Sequence, residues 1–162
     1  MPVAELSSSQ KGKIAEYFVA TALIAASSGR LSPFVPICDD HGVDLIVRDK
    51  ESGRCISVQV KSWLAYGPIE GRNTVQFDVR KATYSADPNS ILLALVLDAH
   101  RMAIEVSWLI PMPALPELAM ERAGKYALVP SRSPHSRDRY SGFRCDSPIS
   151  IVDALLRHSY GA

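Results

Sequence analysis

The chain has 162 residues, 47% hydrophobic and 22% charged, with 9 Gly and 11 Pro scattered along it. That composition suits an ordinary globular protein of one domain, residues 1–162, and excludes wholesale disorder and collagen-like structure. The 18 basic and 17 acidic side chains leave a net charge of +1, so any contact with a polyanion must come from a local patch.

The longest apolar run, Ile91 to Leu97, is far short of the roughly 20 residues a membrane-spanning helix needs, and no basic-then-hydrophobic leader opens the chain. A cytoplasmic protein with no membrane contact is the expectation. Three cysteines, Cys38, Cys55 and Cys145, are an odd number without Cys-x-x-Cys spacing, which argues for reduced, mostly buried thiols. Cys38 and His41 lack a second pair of ligands for structural zinc.

Ser7 and Gln10 have the spacing of a capping box, and Ile14, Ala15, Phe18, Val19, Ala22, Leu23 and Ala26 recur at helical spacing until Gly29. Leu31 to Ile37 reads as a short extended segment with two prolines, and Asp39 to Gly42 as a turn. Val43 to Arg48 and Arg54 to Trp63 then read as two strands of a hairpin, joined by the turn-forming residues Asp49 to Gly53. After a polar stretch from Gly67 to Asn73, Thr74 to Val79 alternates as a weaker strand. Ile91 to Leu97 is continuously apolar, the signature of a central strand covered on both faces, with Ala103 to Ile110 as its hairpin partner. Leu115 to Ala123 is expected to be a short helix and Ser131 to Arg144 a polar surface loop. Ser147 as N-cap, Pro148 at the first helical position and apolar Ile149, Val152, Leu155 and Leu156 predict a C-terminal helix. An α/β architecture follows, with a mixed or mainly antiparallel sheet between helices.

Alternation in the strand Arg54 to Trp63 sends Ile56, Val58 and Val60 one way and Cys55, Ser57, Gln59 and Lys61 the other. If the hairpin pairs residues whose numbers add to 103, Asp44 falls opposite Gln59, with Cβ atoms about 4.5–5.5 Å apart. A shift of two residues would set Asp44 opposite Lys61 on the same face, and a shift of one would send it to the other face. An aspartate, an amide oxygen and a lysine so gathered suit a phosphodiester reaction. Asp44 and Gln59 offer hard oxygen ligands to Mg²⁺ or Mn²⁺, and Lys61 a cation for the attacking water and the transition state. The plainer reading is that Gln59 and Lys61 face solvent and Asp44 starts a strand.

Glu16 in the helix, Gly42-Val43-Asp44-Leu45 on one strand and Gln59-Val60-Lys61 on the next resemble the PD-(D/E)XK nuclease superfamily, in that family's order of helix Glu, strand Asp and strand E/Q-x-K. The resemblance spans Gln10 to Trp63. It implies a restriction endonuclease-like core, a central mixed β-sheet flanked by helices. It also implies a Mg²⁺- or Mn²⁺-dependent DNA endonuclease working through a metal-activated water, with RNA left open as a substrate. Asp44, Gln59 and Glu16 would hold the metal, and Lys61 would be the catalytic lysine.

Gln59 departs from the commoner Glu or Asp and lowers the site charge by one unit, so the alternative is an inactive nuclease-fold module that binds nucleic acid or a protein. By helix geometry Glu16 projects only about 20° from Leu23, at the border of the apolar stripe, where it can lean into the site; the plainer reading is an ordinary solvated helix glutamate paired with Lys13. For nucleic-acid contact the candidates are Gln10, Lys11 and Lys13 at the helix start, Trp63 and Tyr66 as stacking rings, and Arg137 and Arg139 among the loop arginines. His41 is a candidate base beside the metal. Cutting both strands suits a homodimer.

Overall fold

A computed structural model describes residues 5–38, 41–67 and 73–160. The first helix, α1 (Ser8–Ala26), opens on the expected capping box: Ser7 Oγ accepts from the Gln10 amide and the Gln10 side chain accepts from the Ser7 amide. Strands β1 (Leu31–Phe34), β2 (Leu45–Asp49), β3 (Cys55–Ala65), β5 (Ser90–Asp98), β6 (Ala103–Pro111) and β9 (Arg144–Cys145) form a six-stranded sheet in the order β1-β2-β3-β5-β6-β9. All neighbours in it run antiparallel except β3 and β5. A second sheet joins β4 (Phe77–Arg80), β7 (Met120–Arg122) and β8 (Lys125–Leu128), and α3 (Pro148–Tyr160) closes the described chain.

Strand β5 organises both cores because its side chains alternate between two buried faces. Ile91, Leu93, Leu95 and Leu97 join Leu45, Val47, Ile56, Val58 and Val60 beneath Ala15, Val19 and Leu23 of α1 and Ile151, Val152 and Leu155 of α3. Leu92, Ala94 and Val96 face the other way, with Trp108, Ile110, Phe77, Val79 and Leu128. This is the doubly covered strand that an unbroken apolar run demands.

The β2–β3 hairpin has the register that sums to 103, Leu45 opposite Val58 and Arg48 opposite Cys55. Its turn is held by the Asp49 carboxylate, which accepts from the Glu51 amide (3.1 Å) and Ser52 Oγ (2.7 Å), while Gly53 takes a left-handed φ of 74°. Arg30 donates two bonds to the same carboxylate, at 2.8 and 3.0 Å, tying the end of α1 to the hairpin.

Several expectations are corrected. Leu115 to Ala123 is not one helix: only Leu115–Leu118 is helical (α2), and Met120 to Leu128 fold back as the β7–β8 hairpin, whose chain reversal uses Gly124 at φ 73°. Thr74 to Val79 supplies a strand only from Phe77, and that strand belongs to the second sheet. The segment 131–144 is more than a surface loop. Tyr140 is buried, its hydroxyl donating to the Leu118 carbonyl (3.0 Å) and accepting from the Val129 amide (3.3 Å), and Arg144 opens β9. Of the cysteines only Cys145 is buried; Cys38 and Cys55 are exposed. Of the turn expected at Asp39 to Gly42, His41 and Gly42 form a turn, and Asp39 and Asp40 lie outside the described residues. No described helix is long and apolar enough to cross a membrane.

Candidate active site at the end of the hairpin ladder

Chain direction and strand length decide where Asp44 sits. The regular ladder stops at Leu45 opposite Val58, while β3 runs on to Ala65. Asp44 donates its amide to the Val58 carbonyl (3.0 Å) and turns its carboxylate to accept from the Val60 amide at 2.7 Å. A side-chain oxygen therefore does for β3 what a further residue of β2 would do in a longer ladder. The approach is made by His41 and Gly42, both with left-handed φ, 48° and 75°.

Glu16 reaches the same place from α1. It is buried in the border position its helical angle predicts, and its Oε2 pairs with Lys13 Nζ at 2.6 Å. Glu16 is thus not a solvated helix glutamate, although it does pair with Lys13. Glu16, Asp44, Lys61 and Lys11 line one cleft of about 330 Å³. Lys13, Cys38 and Val43 line an adjoining cleft, to which Glu16 and Asp44 also belong. Burial pushes the Asp44 carboxyl above its usual range and the Glu16 carboxylate adds to the rise, against the Val60 hydrogen bond and the opposing charges of Lys61 and Lys13. Lys13 is raised, chiefly through its hydrogen bond to Glu16.

Gln59 and Lys61 share a face, as strand alternation requires, but that face is not a bare polar one. Register places Gln59 beside Leu92 and Lys61 beside Ala94, on the side of the second core. Gln59 is consequently only 5% exposed, and its Oε1 is buried without a hydrogen-bond partner among the described residues. It lines a separate small cleft with His41, Gly42, Ser57 and Thr83, one that Val43 shares with the Asp44 side. A Cβ at Gly42 would lie 2.6 Å from Gln59 Nε2 and 3.2 Å from Thr83 Oγ1, so the amide is seated directly on the Gly42 backbone. Glu16 and Gln59 thus approach from opposite faces of the sheet, with Asp44 at the edge between them.

The close approach of Gln59 and Thr83 to Gly42 had no signal in the sequence. Thr83 comes from a turn after β4, far along the chain from β3.

The donor set is one of hard oxygens, two carboxylates in one cleft, which is the chemistry that suits Mg²⁺ or Mn²⁺, while the orphaned Gln59 oxygen belongs to a separate cleft. Among the described residues no group of three or more His, Cys, Asp and Glu gathers as a metal cluster. The residues present fit a hard divalent ion held by few protein ligands.

The outlying candidates lie as follows. Trp63 is 42% and Tyr66 53% exposed, the latter edge-on to the His100 ring with centroids 6.2 Å apart. Arg137 and Arg139 are exposed on the 131–144 segment. Arg132 and Arg144 of that segment are engaged internally, with Glu105 and Asp146 respectively, and Arg144 also donates to the Arg132 and Ser133 carbonyls. Gln10 is engaged in the cap of α1.

No protein-family model matches the chain, and no curated protein does so. Among solved structures, that of a bacterial homing endonuclease, I-Ssp6803I, is similar with a TM-score of 0.58 and 19% identity, over 96% of each chain. The likeness is one of fold. This chain shares the fold of that structure, a mixed α/β architecture in which helices flank a six-stranded mixed sheet.

Proposed function

We propose that this protein is a divalent-metal-dependent nuclease that hydrolyses the DNA backbone, of the PD-(D/E)XK kind with Gln in place of the second acidic residue. The observation that carries the reading is the meeting of Glu16, Asp44 and Lys61 in one cleft, with the Asp44 carboxylate fixed on the Val60 amide at 2.7 Å. The fold shared with a homing endonuclease over nearly the whole chain supports it.

Asp44 and Glu16 would hold the ion, the Gln59 amide lying in a separate cleft on the other face of the sheet. When bound, the ion supplies Lewis acidity toward a phosphate oxygen and the attacking water. Asp44 is oriented for this before any ion arrives, because one carboxylate oxygen is pinned to the backbone and the other is left for the cleft. Lys61 brings an ammonium to the same cleft and stabilises the charge that develops on the phosphoryl oxygens. Lys13, Arg137 and Arg139 are placed to meet phosphates, which position a duplex without reading its sequence. Trp63 offers a ring for stacking.

The test is a cleavage assay on plasmid, linear, single-stranded and branched DNA with Mn²⁺ or Mg²⁺. Wild type should cut, Asp44→Ala should be inactive, and Lys61→Ala should lose about 10²–10³-fold in rate, the usual cost of one transition-state donor. The presence of only two carboxylates in the cleft favours, as a second reading, a module that binds DNA without cutting. DNA binding with no cleavage of any substrate would decide for it.

A further inference from the structure

Lys13 is an exposed lysine whose ammonium is paired with a buried carboxylate. Its side chain is 56% exposed, yet Nζ lies 2.6 Å from an oxygen of Glu16, whose own side chain is only 11% exposed. An ordinary i,i+3 pair on a helix joins two solvated side chains and is worth little. Here the acceptor is the inward-turned member of a carboxylate pair, and Lys13 lines the cleft that Glu16 and Asp44 share. Two carboxylates facing one half-buried cleft repel each other and need a cation. Within the described residues Lys13 Nζ is the cation hydrogen-bonded to Glu16, and it joins Lys61 in opposing the charge of Asp44.

We propose that Lys13 is the resident counter-ion of the Glu16–Asp44 pair, that it gives way when a divalent ion enters, and that its freed ammonium then turns to a phosphate of the substrate. The inference rests on the nuclease reading above and adds a competition to it. Lys13 sits one helical turn before Glu16, on the flexible four-carbon stem that lets an ammonium swing. Glu16 can give up that partner without being left bare, because the ion replaces one positive neighbour by two positive charges. Lys13 would thus weaken metal binding while the site is empty of DNA and strengthen DNA binding once metal is in place. A helix-stabilising pair would do neither.

The experiment compares wild type, Lys13→Gln and Lys13→Arg by thermal shift against Mn²⁺ alone. It then measures DNA binding with Mn²⁺ in a Lys61→Ala background, which slows cleavage about 10²–10³-fold. Lys13→Gln should lower the Mn²⁺ concentration for half-maximal stabilisation about two- to fivefold, the scale of losing one partly exposed ion pair. It should also weaken DNA binding alike on all sequences and reduce the salt slope by about one. Lys13→Arg, which keeps the charge, should resemble wild type in both. An unchanged or higher Mn²⁺ midpoint in Lys13→Gln overturns the competition, and unchanged DNA affinity and salt slope overturn the transfer to phosphate. If wild type itself shows no Mn²⁺ response, the metal reading of the site fails and the competition with it, an outcome distinct from the other two.

Discussion

Replacing Asp44 by Asn should stabilise the metal-free protein while abolishing its response to a divalent ion. The hydrogen bond that fixes this side chain, from the Val60 amide at 2.7 Å, needs only an oxygen acceptor, which Asn keeps. What Asn removes is a negative charge that the fold holds at a cost: burial is the largest cause raising the Asp44 pKa, and the Glu16 carboxylate raises it further. Relief of such a functional charge is worth about 1 kcal/mol, or about 2–4 °C in a chain of this size. Asp44→Ala should move the other way, by about 1–3 kcal/mol, because it leaves the amide of a buried valine without an acceptor.

Acid should separate the cases further. A carboxyl whose folded pKa lies above its unfolded value penalises the native state at all higher pH, and the penalty is relieved as pH falls through the folded pKa. The stability advantage of Asp44→Asn over wild type should therefore be widest near neutrality and close toward about pH 4, the range of an unperturbed aspartate. Thermal or urea unfolding in EDTA at several pH values measures the gap, and Mn²⁺ titration of the same samples measures the metal response. If Asp44→Asn is as destabilised as Asp44→Ala, or if the gap does not narrow in acid, the carboxylate is not held at a cost and the electrostatic account of the site is wrong.

Three further substitutions test the supports of the site. Asp49→Asn should cost about 1–3 kcal/mol, since Arg30 would lose the buried one of its two ionic partners, keeping Glu51, and the hairpin turn part of its clamp. Arg30 holds the Asp49 carboxyl far below the carboxylate range, so its contribution is present above about pH 4 and lost as pH falls from there, and the variant should lose less stability in acid than wild type. Gly42→Ala should cost about 1–3 kcal/mol from its left-handed φ and the 2.6 Å approach to Gln59 Nε2, and shortening Gln59 to Ser in the same chain should recover part of that cost; strictly additive losses would show the contact to be irrelevant. Tyr140→Phe removes a hydroxyl bonded to Leu118 and Val129 and should lower stability by about 1–2 kcal/mol in urea unfolding, without altering Mn²⁺ binding.

The elements legible in the sequence are those whose signal is local. The capping box of α1, the N-cap Ser147 before Pro148 and the turn chemistry of Asp49 to Gly53 each act within a few residues, and each lies where its spacing puts it. The β7–β8 hairpin escaped because Met120 to Arg122 is exposed throughout and has no alternation to detect; its strand state comes from pairing with Lys125 to Leu128, which in turn pairs with β4. Leu115, Pro116 and Leu118 look like a helix start, and the helix they begin ends at Leu118 because Ala119 is already extended. Cys38 and Cys55 show a composition prior overridden by position, one in a connection and the other at a strand start.

The site shows why alternation alone misjudges burial. Strand period places Gln59 and Lys61 together correctly but cannot say what lies over their face, and an uncovered polar face is the natural reading of Cys55, Ser57, Gln59 and Lys61. The missing information was in the neighbouring strand. Ile91 to Leu97 is apolar at every position, so both of its faces must be covered, and a strand paired with it in parallel shares part of that cover. Gln59 lies opposite Leu92 and is buried, Lys61 opposite Ala94 is partly exposed, and Trp63 opposite Val96 is more exposed still. Burial therefore falls along β3 from Gln59 toward Trp63, as β3 runs on past the end of its ladder with β2. Asp44 lies where that ladder ends, so a carboxylate there can be half-buried and still open to a cleft. A polar site at this point follows from the unequal lengths of two strands, a property of their pairing that neither strand's own residues display.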